Sequence, residues 1–402
     1  MPMSHGERAA AMLAEAARRS EPGPGVTRLP FTPEHRAVLA LVTQWMEAAG
    51  LAVHLDAAGT LIGRAEGERD GPALLLGSHQ DSVREGGAYD GIMGVVLPLV
   101  ALAALRESGK RPPLPVEVLA FADEEGVRFP TALMGPRALS GRFDMAALEM
   151  RDAEGVTLGE AMRGFGLDPG ALPALARKPG SVQGYVEVHI EQGPALQEAG
   201  QPLGVVTAIC GIERHSVVMT GRAAHAGTTP MDLRRDALAG AAEAVLAVEG
   251  QARATPGLMA TVGALTVEPN VVNAVPGAVR LTVELRAPVD ATREEAAETS
   301  LRHLRSIAAA RGLDLLTERT YRQAAQPCDP ALTERLQAAA GSGVPRLPSG
   351  ATHDASAMAD LCPVAMLFLR CRDGISHHPG EAVRSEDMDA AVKTLIRLIQ
   401  GG

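Results

Sequence analysis

Hydrophobic and polar positions along the chain follow two rhythms, and the switches between them mark the elements. From Pro33, a suitable first-turn residue behind Thr32, to about Gly50 the apolar residues recur at helical spacing. The next stretch, LAVHLDAAGTLIGRAEG, alternates in the manner of paired strands around an Ala-Gly turn. ALLLGSH and VEVLAFADEEG are short continuous apolar runs that stop at polar residues, the pattern of strands buried on both faces, with a helical stretch from Gly94 to Ser108 between them. Residues 141–180 read as helix and loop, after which SVQGYVEVHIEQG predicts a strand closing on His189 and Glu191.

Around Gly211 the rhythm changes. ERHSVVMTG, LMATVGALTVE and AVRLTVELRAP alternate with helical stretches Arg234 to Glu249 and Thr292 to Arg311, which predicts a separate α+β domain. After about Cys328 the first style resumes with a helix, the segment SGATHDA, the apolar run VAMLFLRC and a closing helix from Ser385 to Gln400. The expectation is an α/β protein in which residues 211–327 are inserted into a larger domain formed by 1–210 and 328–402, with no internal repeat. A chain of 402 residues exceeds what one core usually organises, so two domains also suit its length.

Composition works mainly by exclusion. Apolar residues at 46% and charged residues at 21% are ordinary for a folded protein and unlike disorder. A net charge of −10 without a Lys/Arg cluster argues against nucleic acid and anionic membranes, and 2% aromatic residues leave no stacking platform for bases. A small-molecule partner fits better. The cysteines, Cys210, Cys328, Cys362 and Cys371, lack C-x-x-C spacing and read as buried free thiols, Cys210 and Cys362 belonging with the Met358 to Met366 run in the core. MPMSHGERAA has no apolar h-region and the run from Gly91 to Leu105 is too short to span a bilayer, so the expected location is cytoplasmic.

Chemistry concentrates in GSHQDSVREGGAYDGIMG, FADEEGVRFP, VEVHIEQG and GISHHPGE. Ligands in open α/β sheets gather at the carboxyl ends of strands, where His79, Asp81, Glu124 and Glu125 are expected. His79 and Asp81 are spaced i, i+2, so on a strand end Asp81 can hold the imidazole from behind. Asp90 follows a Gly-rich turn, and a carboxylate can bridge two cations while imidazoles suit zinc and its neighbours. Of the adjacent acids Glu124 and Glu125, one can bind metal while the other moves protons between water and a leaving nitrogen. A histidine at one strand end is usually a satisfied polar residue, and an acidic pair is usually a solvated turn. Several such groups in four motifs point instead to one metal site.

These stretches, in this order, resemble the M20 group of co-catalytic metallohydrolases, in its amidase, hydantoinase and carbamoylase branch, over nearly the whole chain. The resemblance implies a di-metal catalytic domain with an inserted ferredoxin-like dimerisation domain. It implies His79, Asp90 and His189 on one cation and Asp90, Glu125 and His377 on the other, with Glu124 as general base and acid. His377 competes with His378 for the last position and is preferred only because it matches the family's Ser-His. The ligand set suits zinc and equally tolerates manganese, cobalt and nickel. The stretch ERHSVVMTGRAAHAGTTPMDLRRDA matches the family segment that dimerises, which implies that His225 polarises the scissile carbonyl in the partner subunit of a homodimer. A structural histidine in a Gly-rich turn is the plainer alternative. NVVNAVPG and VELRAP implicate Asn273 and Arg286 in holding a substrate carboxylate, with Arg214 a further candidate unless it merely pairs with an acid such as Glu213. Gln192 and His353 are candidate ureido or carboxylate contacts.

The activity so implied is hydrolysis of the ureido C–N bond of an N-carbamoyl-L-amino acid or of allantoate, releasing ammonia and carbon dioxide. The rivals are an M20-type dipeptidase or aminoacylase, which would usually carry an acid at the His189 position, and a catalytically silent binding homologue, which would have lost Glu124 or a ligand.

Overall fold

The structure is a computed structural model describing Met3–Gly401, so Met1, Pro2 and Gly402 at the ends of the expected domain ranges lie outside the described residues. The chain divides into two compact units. The first takes the residues up to Thr207, then Cys328–Leu347 and the chain from Ala351 onward; the second takes Ala208–Pro327 with Pro348–Gly350.

In the first unit a mixed sheet runs in the order Ala52–Leu55, Leu61–Ala65, Val116–Phe121, Ala73–His79, Val182–Ile190, Val364–Leu369 and Leu203–Ile209. The paired strands around residues 55–61 form as the alternation predicts, Leu55 facing Leu61 in antiparallel register. The central members are parallel: Ala73–His79 pairs in that sense with both Val116–Phe121 and Val182–Ile190, and the latter does so with Val364–Leu369. Parallel neighbours finish at the same edge. His79, the Asp123-Glu124-Glu125 turn, His189 and the loop after Leu369 therefore share one rim of the sheet, as expected for strand ends in an open α/β layer.

Successive side chains leave a strand on opposite faces. Leu74, Leu76, Val118, Ala120, Val186, Val188, Ala365 and Leu367 enter one core with the helices His5–Ala17, Pro33–Ala48, Ile92–Glu107 and Ser385–Ile399. Thirteen residues of Ile92–Glu107 are buried, so this helix is apolar on every side, enclosed by the sheet and by the first and last helices. Helix starts follow local signals. Thr32 caps Pro33–Ala48 by accepting from the His35 N–H at 3.2 Å, with Pro33 in the first turn. Ser4 and Glu7 form a reciprocal capping box on His5–Ala17.

The second unit has the order strand Gly211–Thr220, helix Ala237–Ala254, strands Met259–Thr261 and Leu265–Glu268, strand Ala278–Ala287, helix Asp290–Ala310 and strand Asp314–Gln323. Its antiparallel sheet runs Leu265–Glu268, Ala278–Ala287, Gly211–Thr220, Asp314–Gln323, which is ferredoxin-like. The α/β class with an inserted α+β unit is thus the observed fold. Both helices lay their alanine-rich faces on the sheet, Ala241, Ala244, Ala297 and Leu304 meeting Val217, Val283 and Leu285. Buried Arg293 is compensated by ion pairs to Glu213 and Asp290. All four cysteines are buried and free. Among the described residues no helix is long and apolar enough to cross a membrane.

Candidate metal centre

Asp90 is the pivot of the rim. It precedes Ile92–Glu107 through Gly91, whose φ of 64° brings the helix start against the His79 ring; a Cβ there would lie 2.3 Å from the imidazole. Both oxygens of Asp90 are engaged, in opposite directions. Oδ1 lies 2.9 Å from His189 Nε2 and 3.6 Å from His79 Nε2, while Oδ2 lies 3.3 Å from His377 Nε2. His377 Nε2 is in turn 3.7 Å from Glu125 Oε1. The donor atoms of His79, Asp90 and His189 all fall within 4.8 Å of one another, and so do those of Asp90, Glu125 and His377. One carboxylate thereby joins two cation-sized donor groups.

The imidazoles are set for ligation through Nε2. His79 Nδ1 lies 3.1 Å from the Asp81 carbonyl and 3.5 Å from Asp81 Oδ1, and His189 Nδ1 lies 2.9 Å from the Ile190 carbonyl. A proton held at Nδ1 by these acceptors leaves Nε2 with its lone pair. Asp81 also accepts the Glu124 N–H at 3.1 Å and the Glu125 N–H at 3.2 Å, one on each oxygen, so it fixes both the first imidazole and the acidic turn. Asp123, with φ of 57°, bends the chain out of strand geometry just before these acids.

Electrostatically the rim crowds buried carboxylates and imidazoles together, and, although burial opposes it, the pKa values of His79, His189 and His377 are raised by the acids beside them. Burial pushes the Glu124 carboxyl well above its usual range, helped by Glu125, Asp354 and Asp81 and opposed by His79. Burial likewise raises Glu125 to about 7. Burial also acts on Asp90, but the three imidazoles around it outweigh that and hold it well below the usual carboxylate range. A bound cation reverses such penalties by favouring the ionised acids and neutral imidazoles. The donor set of three imidazoles and two carboxylates suits transition-series divalent ions.

Other expected residues separate clearly. Of the neighbouring pair, His377 falls in the donor group with Asp90 and Glu125, while His378 accepts the Gly380 N–H at 3.0 Å. Gln192, with φ of 55°, donates from Nε2 to Asp90 Oδ2 at 3.2 Å and to Ser376 Oγ at 3.0 Å. His353 is buried, edge-on to His189 at 4.5 Å and to Phe368 at 5.7 Å, and burial holds its pKa well below the ordinary value. In the second unit, exposed His225 accepts the Gly227 N–H at 3.1 Å. A short two-stranded pair sets Ala274 opposite His225, and the neighbouring Asn273 carbonyl accepts the Ala226 N–H at 2.9 Å. The acid beside Arg214 is Glu284 across the sheet rather than Glu213, because strand neighbours point to opposite faces and Glu213 is buried with Arg293 and His215. Glu284 also receives Arg286 at 2.8 Å, and Arg286 donates to the Gly350 carbonyl at 2.6 Å.

Sequence reasoning missed the supports: Ser376, which donates to Asp90 Oδ2 at 3.2 Å, and Glu381, which accepts the Tyr89 and Asp90 N–H groups at 2.8 and 3.0 Å. Both lie in or beside GISHHPGE, so their motif was visible although their partners, nearly 300 residues away, were not.

Fold and donor set define the class, a two-unit α/β protein with a candidate cage for two cations that share one carboxylate. The chain belongs to peptidase family M20/M25/M40, whose model matches residues 75–401. It is 43% identical to an N-carbamoyl-L-amino acid amidohydrolase of Geobacillus stearothermophilus over 383 residues, 94% of each chain. It is 37% identical to an allantoate deiminase of Arabidopsis thaliana, covering 98% of this chain and 82% of that one. A hydantoinase/carbamoylase family amidase from Burkholderia multivorans superposes with a TM-score of 0.93 at 33% identity, over 99% of this chain and 98% of the other. The resemblance to the amidase branch is therefore borne out.

Proposed function

We propose that this chain hydrolyses the ureido C–N bond of an N-carbamoyl-L-amino acid or of allantoate, releasing ammonia and carbon dioxide. The observation that carries the reading is Asp90 with its oxygens in two donor groups and the buried acid Glu124 beside them. Relatives of both substrate types align over nearly the full chain, which keeps both substrates in play.

His79, Asp90 and His189 would hold one divalent cation and Asp90, Glu125 and His377 the other, zinc being the first choice and manganese, cobalt or nickel alternatives. Bound there, the pair supplies Lewis acidity, polarising the ureido carbonyl and lowering the pKa of water toward neutrality. Glu124 takes a proton from the attacking water, and its buried setting suits a base that must give the proton up again. The same carboxyl then protonates the nitrogen that departs as ammonia, and the carbamic acid left behind loses carbon dioxide. Asp81 keeps the Glu124 backbone and the His79 ring in register throughout. Arg286 and Asn273 bind the substrate carboxylate, with Arg214 supporting; a guanidinium has five donors, so Arg286 can add a carboxylate to its bonds with Glu284 and Gly350. Gln192 and His353 lie beside the candidate ligands and are assigned to the ureido group or the carboxylate of the substrate. His225 polarises the scissile carbonyl bound by the partner subunit, which makes the active form a homodimer. The protein is assigned to the cytoplasm.

The test is ammonia release from allantoate and from a panel of N-carbamoyl-L-amino acids after loading with each metal in turn. Turnover of one class at least a hundredfold above dipeptides supports the proposal. Inactivity on every ureido substrate with turnover of dipeptides would replace it by a peptidase.

A further inference from the structure

The loop that carries His377 and the turn that carries Asp90 come from distant parts of the sequence; Ser376 of that loop reaches the Asp90 carboxylate, and Glu381 holds the Asp90 backbone. Glu381 is 5% exposed, and its Oε2 accepts the Tyr89 N–H at 2.8 Å and the Asp90 N–H at 3.0 Å. The Glu381 N–H donates to the His378 carbonyl at 3.1 Å, and the loop is closed by the Arg372 N–H to the Ala382 carbonyl at 2.9 Å. Inside it, Cys371 Sγ donates to the Ile375 carbonyl at 3.0 Å. Glu381 is thus anchored in the His377 loop and grips the Asp90 backbone.

The opposite wall is shaped for this carboxylate. A Cβ at Gly87 would lie 2.1 Å from Glu381 Oε2 and 2.5 Å from its Cβ, so only glycine admits the side chain there. The His377 loop also pays a conformational cost, since His377 itself sits at φ of 55°. Such a loop holds its shape only if something outside it fixes the geometry.

We propose that Glu381 is the positioning residue that sets the spacing between Asp90 and His377, and hence the affinity of the second cation site, without touching cation or substrate. The inference rests on the two-cation reading above. A group that orients ligands from behind changes metal affinity roughly tenfold to a hundredfold when removed. Asp90 belongs to both donor groups, but the second also takes His377 from this loop, whereas the other members of the first, His79 and His189, close strands of the sheet, so the second site depends more on Glu381.

The experiment strips the full-length protein with chelator, then titrates zinc and counts equivalents bound per chain, alongside the melting temperature of the stripped protein. Wild type should take up two. Glu381→Ala should bind the second at least tenfold more weakly, a loss distinctly larger than any at the first. Glu381→Gln, which keeps an oxygen for the two N–H groups, should hold both. Gly87→Ala, which displaces the carboxylate while leaving it in the chain, should reproduce the alanine variant, and it carries the test if Glu381→Ala does not fold. Two tight equivalents in both Glu381→Ala and Gly87→Ala would overturn the inference alone, as would loss of the second ion in Glu381→Gln, which would mean that charge and not position matters. A wild type that binds fewer than two would overturn the two-cation reading and this inference with it.

Discussion

The two units carry their candidate residues in opposite ways. In the first, His79, Asp81, Asp90, Glu124 and His189 are buried at the rim where parallel strands of a mixed sheet end, their side chains or backbone held by neighbouring polar groups. In the second, His225 and Asn273 are exposed on a short two-stranded pair, and Arg214 and Arg286 lean on Glu284. The difference separates two jobs. Holding closely spaced charges demands preorganisation, which the packed sheet edge supplies for this buried set. Contacting a substrate or a second subunit demands access, and side chains serving that purpose are left at the surface.

Substitutions should expose this division, the buried set giving the larger effects. Glu124→Gln should lower kcat by about 10²- to 10⁴-fold while the protein still binds two metals, the range for loss of a positioned proton carrier; metal loss in that variant, read by elemental analysis, would remove the assigned role. His225→Ala should lower kcat by roughly 10²- to 10³-fold with metal content unchanged, as for loss of one oxyanion donor. Mixing that variant with Glu124→Gln should recover part of the activity, because a mixed dimer has one site with both groups intact; absence of recovery after subunit exchange would confine His225 to its own chain. Arg286→Ala should raise KM for carboxylate-bearing substrates about tenfold or more and change kcat less, corresponding to one charged hydrogen-bonded contact. An unaltered KM would leave Arg286 as a partner of Glu284 only.

The smallest effect concerns stability and the buried polar groups of the first unit. Burial lowers His35 to about 3 from the ordinary 6.5. The unfolded chain therefore takes up the proton first, so the contribution of neutral His35 is complete above about pH 6.5. It is lost as pH falls from there toward 3, at no more than about 1.4 kcal/mol per pH unit. Denaturant midpoints compared between wild type and His35→Gln from pH 7.5 to 5 should converge on acidification. Parallel curves would mean that His35 is not buried in its neutral form.

Local signals account for what the amino-acid order settled unaided. Apolar runs ending in polar residues located the central strands, Thr32-Pro33 located a helix start, and the sequence of four acid- and histidine-bearing stretches identified the family and the candidate ligands. Elements without a hydrophobic signature escaped that reading. The strand Asp314–Gln323 is mostly exposed and reads DLLTERTYRQ, with no clean alternation, and His5–Ala17 was passed over although Ser4 and Glu7 announce its first turn. Tertiary structure alone set His377 rather than His378 beside Asp90, gave each Asp90 oxygen its partners, matched Arg214 with Glu284, and brought Glu381 to the Asp90 backbone. Those choices depend on distances between residues far apart in the chain, which propensity and periodicity do not encode. They follow from parallel pairing, which stacks distant strand ends on one rim, and from loop conformations with positive φ that are sustained only by contacts made after the chain has folded.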